Sequence, residues 1–221
     1  MKKRVLIACT MQMDVINYVL KKYQISMPVI WLERALHHNL ELLHKELQNQ
    51  VDLQQHMDEI VLSYGLCGHA ISGLCSKKAR LVFPAFDDCI CQLLYTGPEK
   101  SRRYGLKEKG CYYLTREWTI DKEAIVPQCE MILKQYGEEC GKEIIQQIYS
   151  GYHTISLIET GAYDVGKLQS FVEKASELTG MCVKLQEGSC RVMEHLLLGN
   201  YDNTICVVNP GERIGHAIDI G

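Results

Sequence analysis

The chain has 221 residues, of which 47% are hydrophobic and 23% charged, a balance that belongs to folded globular proteins and excludes a chain too polar to bury a core. A formal net charge of -3 supplies no attraction to a polyphosphate backbone, and the basic clusters at 2–4, 77–80 and 100–103 are short, so nucleic acid is not the expected partner. No window approaches the roughly 18 uninterrupted apolar residues of a membrane helix.

The amino terminus begins Met-Lys-Lys-Arg, but the apolar run behind it extends only from Val5 to Cys9, a strand and not a secretory leader. A cytoplasmic protein with no membrane contact is therefore expected. Eleven cysteines are many, yet the number is odd and no leader is evident, so the expected state is free thiols or metal ligands, not a disulfide framework. No Cys-x-x-Cys pair occurs, so any metal site must be assembled from distant segments.

Residues 4–9, Arg-Val-Leu-Ile-Ala-Cys, form a nearly continuous apolar run, the pattern of a strand covered on both faces. Met13, Ile16, Val19 and Leu20 then follow helical spacing. Residues 28–32 repeat the apolar run, and Leu40, Leu43, Leu47 and Val51 place a helix within 38–57. Residues 59–63 supply a third strand, which leads into Tyr-Gly-Leu-Cys-Gly-His at 64–69 and a short helix at 70–74. A fourth strand at 80–84 is followed by a helix over 88–95, with Asp87 as its N-cap.

The stretch 97–118 has little periodicity and reads as an excursion with an extended piece at 111–114. Helices are expected at 127–136 and 140–148, with Gly137 as the stop between them. Strand and helix then alternate through 154–158, 165–178, 181–185, 190–198 and 204–208. Such alternation favours right-handed crossovers. The expected fold is α/β, an open, mostly parallel Rossmann-like sheet with helices on both faces. It forms a single domain over 1–221, with two pseudo-lobes, 1–118 and 119–221, as the other reading.

Ligands of open parallel sheets bind beyond the carboxyl ends of the strands, where loops and helix N-termini converge. Cys9 closes the first strand, Cys67 follows the third and Cys89 follows the fourth, so three thiols are expected at one edge. Gly65 and Gly68 flank Cys67 and free its backbone for unusual conformations or for binding through N–H groups. Cys89 falls in the first turn of a helix, where the dipole favours thiolate. His37, after the second strand, adds an imidazole. A Cys3His set suits zinc, and three cysteines alone suit iron or an iron-sulfur cluster.

The plainer reading is that small buried cysteines simply pack. Cys75 and Cys91 are alternatives to the three, and His69 is placed to line the pocket. Asp87 and Asp88 suit acid-base work or orientation of ligands; otherwise they cap and charge a helix start. At the end of a later strand, Thr160 and Gly161 open a turn whose amides and hydroxyl suit an anion, or form an ordinary turn before an Asp N-cap.

Cys9, the Tyr-Gly-Leu-Cys-Gly stretch at 64–68, Leu-Val-Phe-Pro through Asp-Asp-Cys-Ile at 81–90, Tyr-Tyr-Leu-Thr at 112–115 with Trp118, Thr-Gly-Ala-Tyr-Asp at 160–164, Pro210-Gly211 and Leu36-His37 together resemble the DUF1638 domain family. The resemblance covers most of the chain and is most specific at Gly-Leu-Cys-Gly and Asp-Asp-Cys. It departs from the family pattern at His69, where Asn is usual, and at Pro98, where Ser is usual. What it implies is a setting, not a reaction: members are often encoded near corrinoid-dependent methyltransferases. Proteins of such a system, or a small molecule, would then be the partners.

Three functions follow as expectations. In the first, Cys9, Cys67 and Cys89 bind zinc, iron or an iron-sulfur cluster in an enzyme or accessory factor of corrinoid or one-carbon metabolism. In the second, the strand-end pocket is a non-catalytic module for a corrinoid or an anion; no Asp-x-His-x-x-Gly of base-off corrinoid carriers is present. In the third, Cys89 is a nucleophile assisted by Asp and His.

Overall fold

The computed structural model describes residues 2–97 and 106–215; the part of the excursion at 98–105, with Pro98 and the basic cluster at 100–103, lies outside the described residues. The chain divides into two compact units, Met1–Leu106 with Ser189–Gly221, and Lys107–Gly188. In chain order the first unit contributes β1 (Arg4–Cys9), α1 (Met13–Lys22), β2 (Val29–Leu32), α2 (Leu40–Leu53), β3 (Glu59–Leu62), β4 (Arg80–Pro84) and α3 (Cys89–Leu94). The second contributes β5 (Cys111–Leu114), α4 (Arg116–Thr119), α5 (Ile125–Tyr136), α6 (Glu138–Ile148), β6 (Thr154–Glu159), α7 (Gln169–Thr179) and β7 (Cys182–Glu187). The chain then returns to the first unit with α8 (Arg191–Leu198) and β8 (Ile205–Val208).

The first unit is built on a five-stranded sheet of order β2-β1-β3-β4-β8. Its first three pairings are parallel and the last, β4 with β8, is antiparallel. The second unit holds a three-stranded parallel sheet, β5-β6-β7. The fold is thus α/β with a mostly parallel open sheet and interleaved helices, as the alternation of patterns predicts. Among the described residues no helix is long and apolar enough to cross a membrane.

Burial explains why these segments take these forms. Val5, Leu6, Ile7, Ala8 and Cys9 are all buried, so β1 is covered on both faces, which is what a continuous apolar run requires. On α1 the buried side chains are Val15, Ile16 and Val19, and on α2 Leu43, Leu47 and Val51; each such burial is worth about 1.5 to 3 kcal/mol. Asn39 caps α2 by accepting the Leu42 N–H at 3.0 Å. In the second unit Leu114, Ile125, Ile145, Ile155 and Val172 form a separate core.

Two local expectations change. Residues 70–74 form turns, not a helix, because they follow three successive residues with positive φ. The N-cap of α3 is Asp88, whose carboxylate accepts the Cys91 N–H at 2.9 Å, so the helix starts one residue later than the Asp87 cap implied. The final strand runs antiparallel to its neighbour, a direction that apolar patterning does not encode.

The strand order reverses at β1. The chain leaves β1 for β2 on one side, while β3 pairs on the other. Open α/β sheets take ligands at the carboxyl ends of the strands that flank such a reversal. Cys9 is the last residue of β1, and the segment beginning at Tyr64 lies just beyond β3.

Candidate functional site

The loops after β3 and β4 are laced together by backbone hydrogen bonds, Leu66 N–H to the Phe86 carbonyl at 2.8 Å and Cys67 N–H to the Asp87 carbonyl at 2.7 Å. Gly65 is what permits this approach: a Cβ there would sit 2.4 Å from the Phe86 oxygen, well inside contact distance. Cys67, Gly68 and His69 then adopt φ of 46°, 67° and 71°. For a residue with a Cβ this conformation costs roughly 1 to 2 kcal/mol, and such residues concentrate at ligand sites. His, like Asn, is among the residues that enter the left-handed region most readily, which suits position 69.

This lacing brings Cys67 and Cys89 beside Cys9. The Tyr64 ring lies among them, with the ionisation of all three thiols acting on its hydroxyl. Tyr64 is 1% exposed, and its hydroxyl lies within hydrogen-bonding reach of the Cys9 thiol, short of the geometry of a well-formed bond.

Burial dominates the electrostatics. It pushes the Cys9 thiol up to about 11, against the lowering effects of the Met11 backbone and the Arg34 cation. Burial likewise raises Cys67, reinforced by Asp88 and Cys9. Cys89 is only partly buried by exposure, yet desolvation raises it well above the usual thiol value, with Cys67, Asp88 and Cys9 adding to the shift. The helix start at Cys89 was expected to favour thiolate; desolvation and the neighbouring acidic groups reverse that expectation.

A polar chain runs behind the thiols. The Cys9 N–H donates to Ser63 Oγ at 3.2 Å, the Gln92 amide donates to the Ser63 carbonyl at 3.1 Å, and the Gln12 amide donates to Gln92 Oε1 at 2.9 Å. Gln12 and Gln92 are both buried, and the Gln12 oxygen has no hydrogen-bond partner. Sequence reasoning missed Gln12, Gln92 and Tyr64 as site residues. Tyr64 had a readable signal, since it follows β3 directly at the edge where ligands bind.

His37 lies in the 3-10 turn Arg34–His38 after β2. Its ring stacks on Tyr64 with centroids 5.9 Å apart and planes at 18°, and Nδ1 pairs with the Arg34 carbonyl at 3.2 Å. A carbonyl only accepts, so Nδ1 carries the proton and Nε2 keeps its lone pair, the form that ligates metals. Desolvation lowers its pKa, which also favours neutral imidazole. Thr160 and Gly161 belong to the second unit. There Thr160 Oγ1 accepts the Ala162 N–H at 3.3 Å, and Asp164 caps the following turn through the Gly166 N–H at 3.0 Å. Among the described residues, no group of three or more His, Cys, Asp or Glu stands in an arrangement that could hold a metal ion as it is.

Residues 31–197 match the family described as "Protein of unknown function (DUF1638)", which is most of the chain. The chain belongs to the DUF1638 family. No curated protein and no solved structure matches it. In this DUF1638 protein the matched region includes Tyr64, Cys67 and Cys89, whereas Cys9 precedes it.

The raised pKa values bear on the DUF1638 thiols as nucleophiles, because thiolate is the reactive form. Brief iodoacetamide treatment at pH 7 is expected to alkylate the exposed Cys140 and Cys182 first. Cys9, Cys67 and Cys89 remain unmodified until the protein is unfolded. Peptide mass spectrometry measures the order, and early modification of Cys89 would restore the nucleophile reading.

Proposed function

We propose that this DUF1638 protein binds a thiophilic metal, zinc or iron, through Cys9, Cys67 and Cys89, with His37 Nε2 the fourth donor. One observation supports the reading: three cysteines from segments far apart in sequence all act electrostatically on one buried hydroxyl, that of Tyr64. Their place at or beyond the carboxyl ends of β1, β3 and β4, where the strand order reverses, is where sheets of this type take ligands. Burial favours the protonated form of all three thiols in the metal-free protein. Metal entry therefore includes loss of the three protons and closure of the sulfurs about the ion. With His37 as the fourth donor the site is closed and four-coordinate, as in structural zinc centres.

The test is anaerobic purification followed by assay of zinc, iron and acid-labile sulfide, for the wild type and for Cys67→Ser. The expected result is about one equivalent of metal in the wild type and loss of most of it in the variant. Iron with matching sulfide would identify a cluster. A wild-type protein that takes up neither zinc nor iron after reconstitution overturns the proposal.

A further inference from the structure

In the second unit β7 stands at one side of the three-stranded sheet. Its residues pair with β6 without interruption, from Cys182 opposite Thr154 to Glu187 opposite Glu159. The Cys182 N–H donates to the His153 carbonyl at 3.1 Å and the Gly188 N–H to the Glu159 carbonyl at 2.9 Å. Alternate residues of a strand bond to the same neighbour, so the even-numbered residues turn their backbone groups toward β6. Val183, Leu185 and Glu187 turn theirs to the opposite edge, where among the described residues no strand pairs. The Glu187 carbonyl accepts from the Gln186 side chain at 3.3 Å and keeps a second lone pair.

Edges that must stay single are blunted by proline, by a bulge or by an outward lysine. β7 has no proline and no bulge, and its one lysine, Lys184, is drawn onto Glu108 at 2.6 Å. Val183 and Leu185 lie opposite Ile155 and Leu157, on the face that forms the core with Val172 and Ala175 of α7, yet they are 43% and 57% exposed. The apolar face thus runs past its own last strand, to where a further strand would lie. A second copy of β7 fits that place. Set antiparallel about a two-fold axis at Leu185, the edge puts Leu185 against its own counterpart and Val183 against Glu187 on either side, and each of these pairs exchanges two backbone hydrogen bonds. On the other face Lys184 meets the uncharged Gln186. An axis at Lys184 would set two lysines directly opposite, which disfavours pairing, and an axis at Gln186 would leave Val183 beyond the end of the ladder.

We infer that the open edge of β7 is a homodimer interface, in which two copies pair antiparallel through the outward backbone groups of Val183, Leu185 and Glu187 and join their three-stranded sheets into one. The same patch serves both copies, so association stops at two. The inference stands apart from the cysteine site and does not depend on it.

The full-length protein, kept under reductant so that no disulfide contributes, is followed by sedimentation equilibrium from ~1 to ~200 µM, a span that reaches weak, transient interfaces. The expected result is a monomer–dimer equilibrium. Leu185→Lys sets two cations across the axis and leaves the ladder to β6 intact, because Leu185 takes no part in it; dimerisation weaker by about 30-fold or more is expected, the scale of a like-charge juxtaposition, with an unchanged circular dichroism spectrum. Amide hydrogen exchange of the wild type supplies a second reading that needs no variant: the Val183, Leu185 and Glu187 amides slow as concentration rises, while those of Lys184 and Gln186 are protected throughout. A wild type that stays monomeric over the whole range overturns the inference. A dimer that Leu185→Lys leaves intact, or one in which the three outward amides exchange at a rate independent of concentration, uses another surface and overturns it as well.

Discussion

Glu59→Ala is expected to lower the stability of the first unit by about 1.5 to 3 kcal/mol, the scale of hydrogen bonds to a charged group. Glu59 begins β3 and is 1% exposed. One carboxylate oxygen pairs with Lys2 at 3.0 Å and with Arg80, and the other with Arg4 Nε at 3.1 Å and the Tyr201 hydroxyl at 2.9 Å. Arg4 in turn donates to the Leu196 and Leu197 carbonyls at 2.8 and 2.7 Å, the open end of α8. Removing the carboxylate leaves the half-buried Arg4 without its counter-charge and loosens the side chain that ties α8 to β1. Urea unfolding followed by circular dichroism measures the loss, and a change below about 1 kcal/mol, the scale of an exposed ion pair, would show that the cluster is a surface feature.

The same carboxylate gives that stability a pH signature. Burial alone would raise the Glu59 pKa, but the hydrogen bonds from Lys2 and Tyr201 and the charge of Arg80 outweigh it, and the net shift is downward. A carboxyl depressed in the folded state contributes stability above its unfolded pKa of about 4.3, and that contribution is lost as pH falls through the lower, folded value. The wild type should therefore lose stability more steeply than Glu59→Ala on acidification below about pH 4.5.

Zn2+ affinity of the cysteine site is expected to climb steeply with pH between 6 and 8. All three thiols have pKa values above the usual cysteine value, so all three are protonated in the free protein across this range, and binding must release them. Each proton released adds about a factor of ten in apparent affinity per pH unit. Three give a slope near three in log affinity against pH. Competition with a chelator in buffers of different pH, or proton release into weak buffer, reads the slope. A flat profile would mean that groups other than these thiols hold the ion.

The fold was largely legible because the first unit has strands buried on both faces. Continuous runs such as Val5 to Ala8 have no competing explanation, and Ile16, Val19, Leu43 and Leu47 mark helices by spacing alone. Where pattern stops carrying information the reading was silent or failed. The direction of β8, on which the pattern says nothing, depends on a connection with no apolar period. The turns at 70–74 depend on Cys67 and His69 accepting a left-handed backbone, which their side chains do not announce. The cap moved from Asp87 to Asp88 because adjacent acidic residues offer the same chemistry one position apart.

The candidate site shows the same division. That Cys9, Cys67 and Cys89 stand at or after the ends of three strands of one sheet follows from strand order alone. The ionisation of Cys89 does not follow, because position at a helix start argues for thiolate while crowding by Cys67 and Asp88 decides for thiol. The apolar pattern does not single out Tyr64; its place beside the thiols became visible only once its neighbours were known.

The split course of the first unit fixes when it can finish folding. β4 is made well before its partner β8, with the whole of Lys107–Gly188 synthesised between them. On the ribosome, a nascent chain that has passed Pro84 but not yet reached Ile205 holds one side of β4 without its strand, an edge open to any other extended segment. The inserted unit is contiguous and is free to close on its own contacts during that interval. Translation speed across 107–188 then sets how long the unfinished sheet must wait for its last strand.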